Sequence, residues 1–506
     1  MYRKHAPLLT TVFLLCLVEY LQVGMVAFGS LPIMGEIGAG PEEYSLVAAL
    51  YACMAVIAIS KQSWLTERIG WRDYILACGG VFIVGAVVCG MSERLLPFTI
   101  GRALMGLGGG AFFTSGRVLL NRLAPGPERF TGIKVFATAL VCGTAASPFL
   151  AATAVTDDSW RSIFWITIAV TVLACLAAAS SLPTDRHADE DRSRTSLVRV
   201  GLLALGAFAV PYAIQRTPYE FYSDTPLWVA TAVAGAAVLY AFFHVEHRHA
   251  RPLLRVNQLL SPRYVLGVAL FSFCYMVAGA NNYVLPIFLQ RGMGYSWQTT
   301  GMFLSLGLSA AVCTWLVMTQ VLPRSPAPRK FLLVGFLGLT LFGLQLSTLN
   351  GGADMVTHVL PALALNGIFL MAVLPTAALQ TFAKLPPDPQ LLAHAQQVKN
   401  MLGQVATAAG TAFGAVLLQW RTTVQYGSLN VHLQASDPLF QDRLHAAAAS
   451  FGRATDAVQA ARMALALQGS EIIQQATLVA GTEYFRLIAI GAVLAMVVSL
   501  FQRVFR

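Results

Sequence analysis

Charged side chains are scarce in this sequence. They make up 11% of its 506 residues, under half the roughly 25% usual in soluble domains, whereas 56% of residues are hydrophobic. A water-soluble globular fold is excluded on that ground. Cysteine provides no scaffold: the eight thiols are scattered, mostly inside apolar runs, with no CxxC pair. They read as small buried residues, which excludes a disulfide framework or a zinc site. The phosphate-cradling GxxxxGK(S/T) and the metal-binding HExxH are both missing, and no nucleotide-binding domain is there to drive work by hydrolysis. Nothing supports an enzyme or a bound cofactor. His244-x-x-His247-x-His249 comes nearest to a metal cluster, but it lies with Glu246 in a basic connection and reads as solvated loop.

What the chain has is apolar runs of about 20 residues from end to end, each long enough to span a bilayer. The fold class is an all-α polytopic membrane protein. Fourteen transmembrane helices are expected, at 8–32, 43–62, 73–92, 96–119, 132–155, 161–182, 197–216, 226–245, 263–289, 298–322, 329–349, 355–379, 391–419 and 483–503. The first follows Arg3-Lys4 and is too long for a leader peptide, so it is read as retained. Pro211 interrupts the seventh, and its connection to the eighth is polar. Basic residues set the orientation. With the N-terminus in the cytoplasm, that side receives Arg68, Arg72, Arg122, Arg129, Arg186, Arg192, Arg194, Arg251, Arg255, Arg329 and Arg506 among others. The short outer loops carry little beyond Arg94, Arg161, Arg216 and Arg291. Both termini are then cytoplasmic. The formal net charge of +10 reflects these loops, not a nucleic-acid partner.

Two segments are expected outside the membrane. Residues 183–196 are charged and mixed in sign, a solvated connection. Residues 421–482 form an extracytoplasmic helical hairpin, with Asp437-Pro438 as a helix start and Phe440, Leu444 and Phe451 at helical spacing. It is read either as a tethered surface loop or as a docking surface. The domain division follows: an N-terminal six-helix bundle over 1–182, a linker with two extra spans over 183–262, and a C-terminal six-helix bundle over 263–506.

The chain is organised around Ala139 to Ala152, ALVCGTAASPFLAA. Gly143, Ser147 and Ala151 are small and four apart, which puts a smooth ridge on one helix face for close packing. Pro148 removes a backbone hydrogen bond and kinks the helix, as suits a joint between moving halves. Three further stretches stand beside it. Ser63-Trp64-Leu65-Thr66-Glu67-Arg68-Ile69-Gly70-Trp71-Arg72 joins spans two and three. Gly101-Arg102-Ala103-Leu104-Met105-Gly106-Leu107-Gly108 puts an arginine inside span four, which is expensive and seldom accidental. Leu385-Pro386-Pro387 precedes span thirteen, and Glu483 opens the last span.

Individual polar residues inside the spans are the site candidates. Glu19 is a lone carboxylate near the middle of span one, a functional candidate by default. At that depth it can be ionised in one state of the protein and protonated in another. Gln22 lies one turn on. Arg117, fifteen residues after Arg102, is expected on the same helix face. Tyr275 and Asn282 share a face of span nine. Gln396, Asn400, Gln404, Thr407 and Thr411 form a polar stripe on span thirteen, with Lys399 beside it. Such a stripe should line water or protein, not lipid. Each also has a structural reading, as an ion pair, a helix seam or a snorkelling base.

These stretches together resemble the fourteen-span drug:proton antiporter branch of the major facilitator superfamily, the EmrB/QacA type. Span five is similar to its antiporter motif GxxxGPxxGG, with three glycines replaced. The 63–72 loop is similar to GxLaDrxGrr, with Glu67 for the aspartate and Ser63 for the first glycine. Span four is similar to RxxqGxgaa, with Met105 for the glutamine. The resemblance implies the major facilitator fold: two six-helix bundles plus two extra central spans, enclosing a cavity that opens alternately to each side. It implies proton-coupled efflux of small amphipathic compounds, drugs or toxic organic acids, across the cytoplasmic (inner) membrane. Glu19 and Arg102 would couple protons. Gln22, Arg117, Tyr275, Asn282, Lys399, Asn400 and Gln404 would contact substrate. Glu67, Gly70, Arg72, Gly143 and Pro148 would serve the conformational change. A periplasmic membrane-fusion adaptor and an outer-membrane channel are implied partners, besides membrane lipid. Two alternatives stay open: a proton-coupled importer of the same fold and a non-transporting receptor or scaffold.

Overall fold

The computed structural model describes residues 2–124, 126–157, 159–184, 197–220, 224–248, 254–325, 327–386, 388–431, 438–453 and 456–505. The expected connection 183–196 lies outside them from residue 185 onward, and so do Asp437, Pro387, His249, Arg186, Arg192, Arg194, Arg251 and Arg506. Among the described residues the chain is helical and has no strand. In order the helices are α1 (Tyr2–Phe28), α2 (Ser30–Ile37), α3 (Pro41–Ile69), α4 (Trp71–Gly90), α5 (Leu95–Gly109), α6 (Phe112–Leu119), α7 (Pro127–Asp157), α8 (Ser162–Ser181) and α9 (Leu197–Glu220). They continue as α10 (Thr225–Arg248), α11 (Pro262–Ile287), α12 (Trp297–Leu308), α13 (Ala310–Arg324), α14 (Pro328–Ser347), α15 (Leu360–Phe382), α16 (Pro389–Val431), α17 (Pro438–Phe451) and α18 (Ala457–Phe501).

Thirteen helical stretches among the described residues are long and apolar enough to cross a membrane. The seventh expected span, α9, has a shorter apolar stretch, Val198–Ile214. At 1.5 Å per residue it extends about 25 Å, close to the roughly 30 Å hydrocarbon core. α9 packs along α10 and also touches α3 and α16. The extra pair therefore lies over the seam between the two bundles.

Each bundle is closed by small residues. In the first, a Cβ on Gly143 of α7 would lie 2.8 Å from Tyr20 Cβ of α1, and one on Gly24 of α1 would collide with Ser147. The second face of α7 meets the other bundle: a Cβ on Gly301 of α12 would lie 2.6 Å from the Pro148 carbonyl oxygen and 2.3 Å from Ala152 Cβ. The small-residue ridge thus seats α7 between α1 and α12. Pro148 leaves the Thr144 carbonyl without its helical donor, and the Ser147 hydroxyl donates to it at 3.1 Å. One residue on, the Phe149 amide donates to Ser305 Oγ of α12 at 2.9 Å, across the bundle junction.

Span four is not one helix. It breaks between α5 and α6 at Gly110-Ala111, where the glycines admit close neighbours: a Cβ on Gly108 would meet the Phe82 amide, and one on Gly110 would meet Ala55. Arg102 lies before this interruption and Arg117 after it. Between α3 and α4, Gly70 has φ +84° and makes the turn, while Ser63 is still inside α3.

The spans on either side of 421–482 run far past their expected ends. α16 has 43 residues and α18 has 45, about 65 Å each, twice the hydrocarbon thickness. The segment is helical as expected, but most of it continues these two helices, with α17 between them. Glu483 lies within α18, where its Oε1 accepts from Arg421 at 2.6 Å and from Gln425 at 3.0 Å. That ion pair staples the two helices near the start of their projection.

Candidate functional site

A cavity of about 140 Å³ lies at the junction of the bundles. Its wall is mainly apolar and aromatic, with Phe28, Phe113 and Leu304 among its residues, and a few polar groups converge on it. α1, α7, α11, α15 and α16 all contribute.

Glu19 of α1 lines this cavity and is 4% exposed. Its Oε1 accepts from Gln404 Nε2 of α16 at 3.1 Å, so the first bundle's carboxylate is held by the second bundle's amide. Its Oε2 is buried and makes no hydrogen bond. Arg102 contributes to the local field at Glu19, but no ion pair joins the two. The guanidinium of Arg102 instead donates to Gln22 Oε1 at 2.9 Å and lies 4.4 Å from the centre of the Tyr51 ring. Gln22 Nε2 in turn donates to the Tyr51 hydroxyl at 2.5 Å. Arg102, Gln22 and Tyr51 form a buried polar unit behind Glu19. Gln22 is fully buried in it and does not line the cavity.

Tyr275, Asn282, Asn400 and Gln404 do line it. Tyr275 Oη is 3.4 Å from Tyr20 Oη across the junction. Asn400 donates from Nδ2 to Thr114 Oγ1 of α6 at 2.7 Å. One turn before, Gln397 donates to Ser63 Oγ of α3 at 3.0 Å. Asn400 and Gln404 of the stripe thus face the first bundle, as does Gln397 beside them, while Thr411 bonds to the Gly279 carbonyl of α11 in the second. Lys399 and Arg117 lie outside the cavity wall. The Lys399 ammonium sits 4.5 Å from the Phe271 ring centre and 5.2 Å from that of Phe113. At the opposite end of the junction, Phe28 packs edge-on to Trp297 with ring centres 5.6 Å apart. Hydrogen bonds and aromatic packing thus hold the bundles together at both ends of the cavity.

The sequence reading did not single out a second polar group in the wall. Asn281 Nδ2 donates to Asn366 Oδ1 at 3.1 Å, and Asn281 Oδ1 accepts from the Tyr484 hydroxyl at 2.7 Å. Asn281 and Asn366 line the cavity. A lone asparagine within the apolar run LPALALNGIFL was the signal that could have exposed Asn366. Glu67, Gly70 and Arg72 are grouped at the α3–α4 turn, away from the cavity lining. Pro148 lines the cavity, and Gly143 packs against α1 nearby.

Two helical bundles in a membrane, a mostly apolar cavity at their junction and a carboxylate in its wall define the architecture of a solute carrier. The chain belongs to the Major Facilitator Superfamily, whose family model matches residues 12–413. It is a transporter, and small molecules are its substrates. Among proteins similar to it is MdtD of Salmonella typhi, named for multidrug resistance, 25% identical over 414 residues that cover 78% of this chain and 86% of that protein. The uncharacterized MFS-type transporter YhcA of Bacillus subtilis (strain 168) is 20% identical over 82% of this chain and 76% of its own. A proton dependent oligopeptide transporter shares the fold with a TM-score of 0.60 at 16% identity, covering 97% of both chains. The human organic anion transporter MFSD10 shares it with a TM-score of 0.55 at 15% identity, covering 96% of this chain and 99% of that one.

Proposed function

We propose that this transporter is a proton-coupled antiporter that exports small amphipathic compounds by alternating access. One observation carries the reading. Glu19 is a buried carboxylate in the cavity wall with one oxygen unbonded and no ionic partner, tied across the bundle junction to Gln404. A proton and a cationic cargo would then compete for the same oxygen, and that competition is antiport. The distant likeness to a protein named for multidrug resistance supports the cargo class.

In this reading Tyr275, Asn282, Asn400 and Gln404 contact cargo. The Arg102–Gln22–Tyr51 unit sets the field at Glu19. α7 hinges at Pro148 against α12, and the α3–α4 turn with Glu67, Gly70 and Arg72 latches the opposite side. The division at residues 183 and 263 separates the moving bundles from the extra pair. The excess of basic residues in alternate connections supports an inner-membrane protein with both termini in the cytoplasm. The projecting ends of α16 and α18 then face outward, where an adaptor would dock.

The test uses proteoliposomes loaded with a pH dye under an imposed pH gradient, given a panel of cationic drugs and organic acids. Cargo should release protons from the wild type and not from Glu19→Gln, with cargo binding retained. Equal proton exchange by both proteins removes Glu19 from the coupling. If no compound moves protons in the wild type, antiport itself fails.

A further inference from the structure

Lys399, which is buried, and Arg117, which is half-buried, are cations that the antiport reading leaves without a task. Lys399 is 4% exposed and makes no hydrogen bond or ion pair with the described residues. Its recorded neighbours are the faces of Phe113, from the first bundle, and Phe271, from the second. The Nη1 of Arg117 is buried without a hydrogen-bond partner. Among the described residues, Arg117 lies close enough to act on Lys399, and Arg129 on Arg117. Arg129 is already occupied by the Asn121 and Leu123 carbonyls.

The two cations converge because of local register. Thr114 and Arg117 are three apart on α6, so they share a face. Asn400, the neighbour of Lys399 on α16, reaches Thr114 Oγ1 at 2.7 Å. The Thr114 hydroxyl accepts that bond and keeps its own proton to donate. Phe113 and Arg117 are four apart on α6 and share a face, and the Lys399 ammonium lies 5.2 Å from the Phe113 ring centre, so the two cations approach the same edge of the cavity, whose wall includes Phe113 and Thr114. Like charges held together away from water are relieved by a counter-charge or by loss of a proton, and a bound anion supplies the first.

We propose that Lys399 and Arg117 form an anion site adjoining the cavity. It takes a single monovalent group, either the carboxylate of an amphipathic acid, with its apolar tail against Phe113, or a halide. The assignment extends the proposed function and does not depend on antiport.

The test is the thermal unfolding midpoint of the purified full-length protein in detergent, at fixed pH and ionic strength. Chloride, bromide and straight-chain alkanoates from acetate to octanoate replace gluconate, which is bulky and polar. A saturable rise in the wild type is expected, with apparent affinity at least tenfold weaker in Lys399→Gln and Arg117→Gln and retained in Lys399→Arg. That last variant keeps the charge and guards against a mere folding defect. Affinity that climbs with alkanoate chain length identifies the carboxylate of an amphipathic acid as the ligand, and a rise with halides alone identifies an inorganic anion. Equal rises in the wild type and Lys399→Gln, or none in either, overturn the site. No proton movement is measured, so failure here is separate from failure of the coupling role of Glu19.

Discussion

The contact between α7 and α12 can be tested by adding one methyl group. A Cβ at residue 301 would stand 2.3 Å from Ala152 Cβ and 2.6 Å from the Pro148 carbonyl oxygen. Neither neighbour is the far end of a flexible side chain, so Gly301→Ala must push the two helices apart. Overpacking of this kind costs about 1–3 kcal/mol. The strain exists only where α7 and α12 touch. In an alternating cycle it therefore disfavours the arrangement described here relative to one with these helices separated. At about 1.4 kcal/mol per tenfold, the equilibrium should move roughly 5- to 150-fold toward separation. Spin labels on the two helices, read by pulsed electron resonance, should show the long-distance population growing, with slower transport. Gly80→Ala is the inert control, since nothing lies within 4 Å of a Cβ there. Adding Ala152→Gly to Gly301→Ala removes the 2.3 Å contact and should restore part of the distribution. An unchanged distance distribution with unchanged transport would refute the claim that this close approach holds the junction.

Other outcomes follow from the same coordinates. Tyr484→Phe leaves Asn281 Oδ1 without its donor, so thermal unfolding should show a loss of about 1–3 kcal/mol, together with weaker cargo binding. Gly70→Ala forces a side chain into φ +84°, a strain of about 1–3 kcal/mol. It should slow transport more than it lowers the unfolding temperature, if the α3–α4 turn moves in the cycle. Ser305→Ala removes the acceptor of the Phe149 amide and should shift the same distance distribution by about fivefold, for a hydrogen bond worth about 1 kcal/mol. Asp354 caps the turn Met355–Val359, accepting from the Thr357 amide and hydroxyl and the Val356 amide, and these bonds hold its carboxyl below the usual aspartate range. A depressed folded value means the cap's contribution is complete above the unfolded value and is lost as pH falls through the folded one. Amide exchange at 356–359 should accelerate only in acid, and Asp354→Asn should abolish that dependence.

Local properties were legible in the sequence and long-range partnerships were not. The spans and the isolated charges Glu19 and Arg102 show themselves because an apolar run and a charge within it are visible in a single window. Gln22 was visible too, but its place behind the wall depends on Tyr51 and Arg102, 29 and 80 residues away. The Asn281–Asn366–Tyr484 group spans 203 residues, and only Asn366, alone in an apolar run, stands out in its own helix. The close packing of span four is equally hidden in the sequence: Gly106, Gly108 and Gly110 all press on neighbours that only the fold brings to them. The reach of α16 and α18 was missed because their helices continue past the apolar runs into polar sequence, where no proline marks where the membrane ends.

The pattern of buried charge argues for where movement and exchange occur. In the extra pair, Arg199 and Glu246 are both buried and face each other at 3.3 Å, and Glu246 also accepts from the Leu254 amide. A charge satisfied in that way has little to gain from a proton or a ligand, so the pair serves to fix α9 and α10 to each other and to the start of the second bundle. At the junction the rule is different. Glu19 is held by an amide, Arg102 by an amide and a ring, and Lys399 by two rings. Neutral dipoles and aromatic faces steady a charge without cancelling it. These groups keep an unspent demand for an opposite charge, and an incoming proton, cation or anion can meet it. In the proposed antiport, the bundles' shared surface would therefore be where one passenger is exchanged for another, whereas the ions of α9 and α10 are already paired.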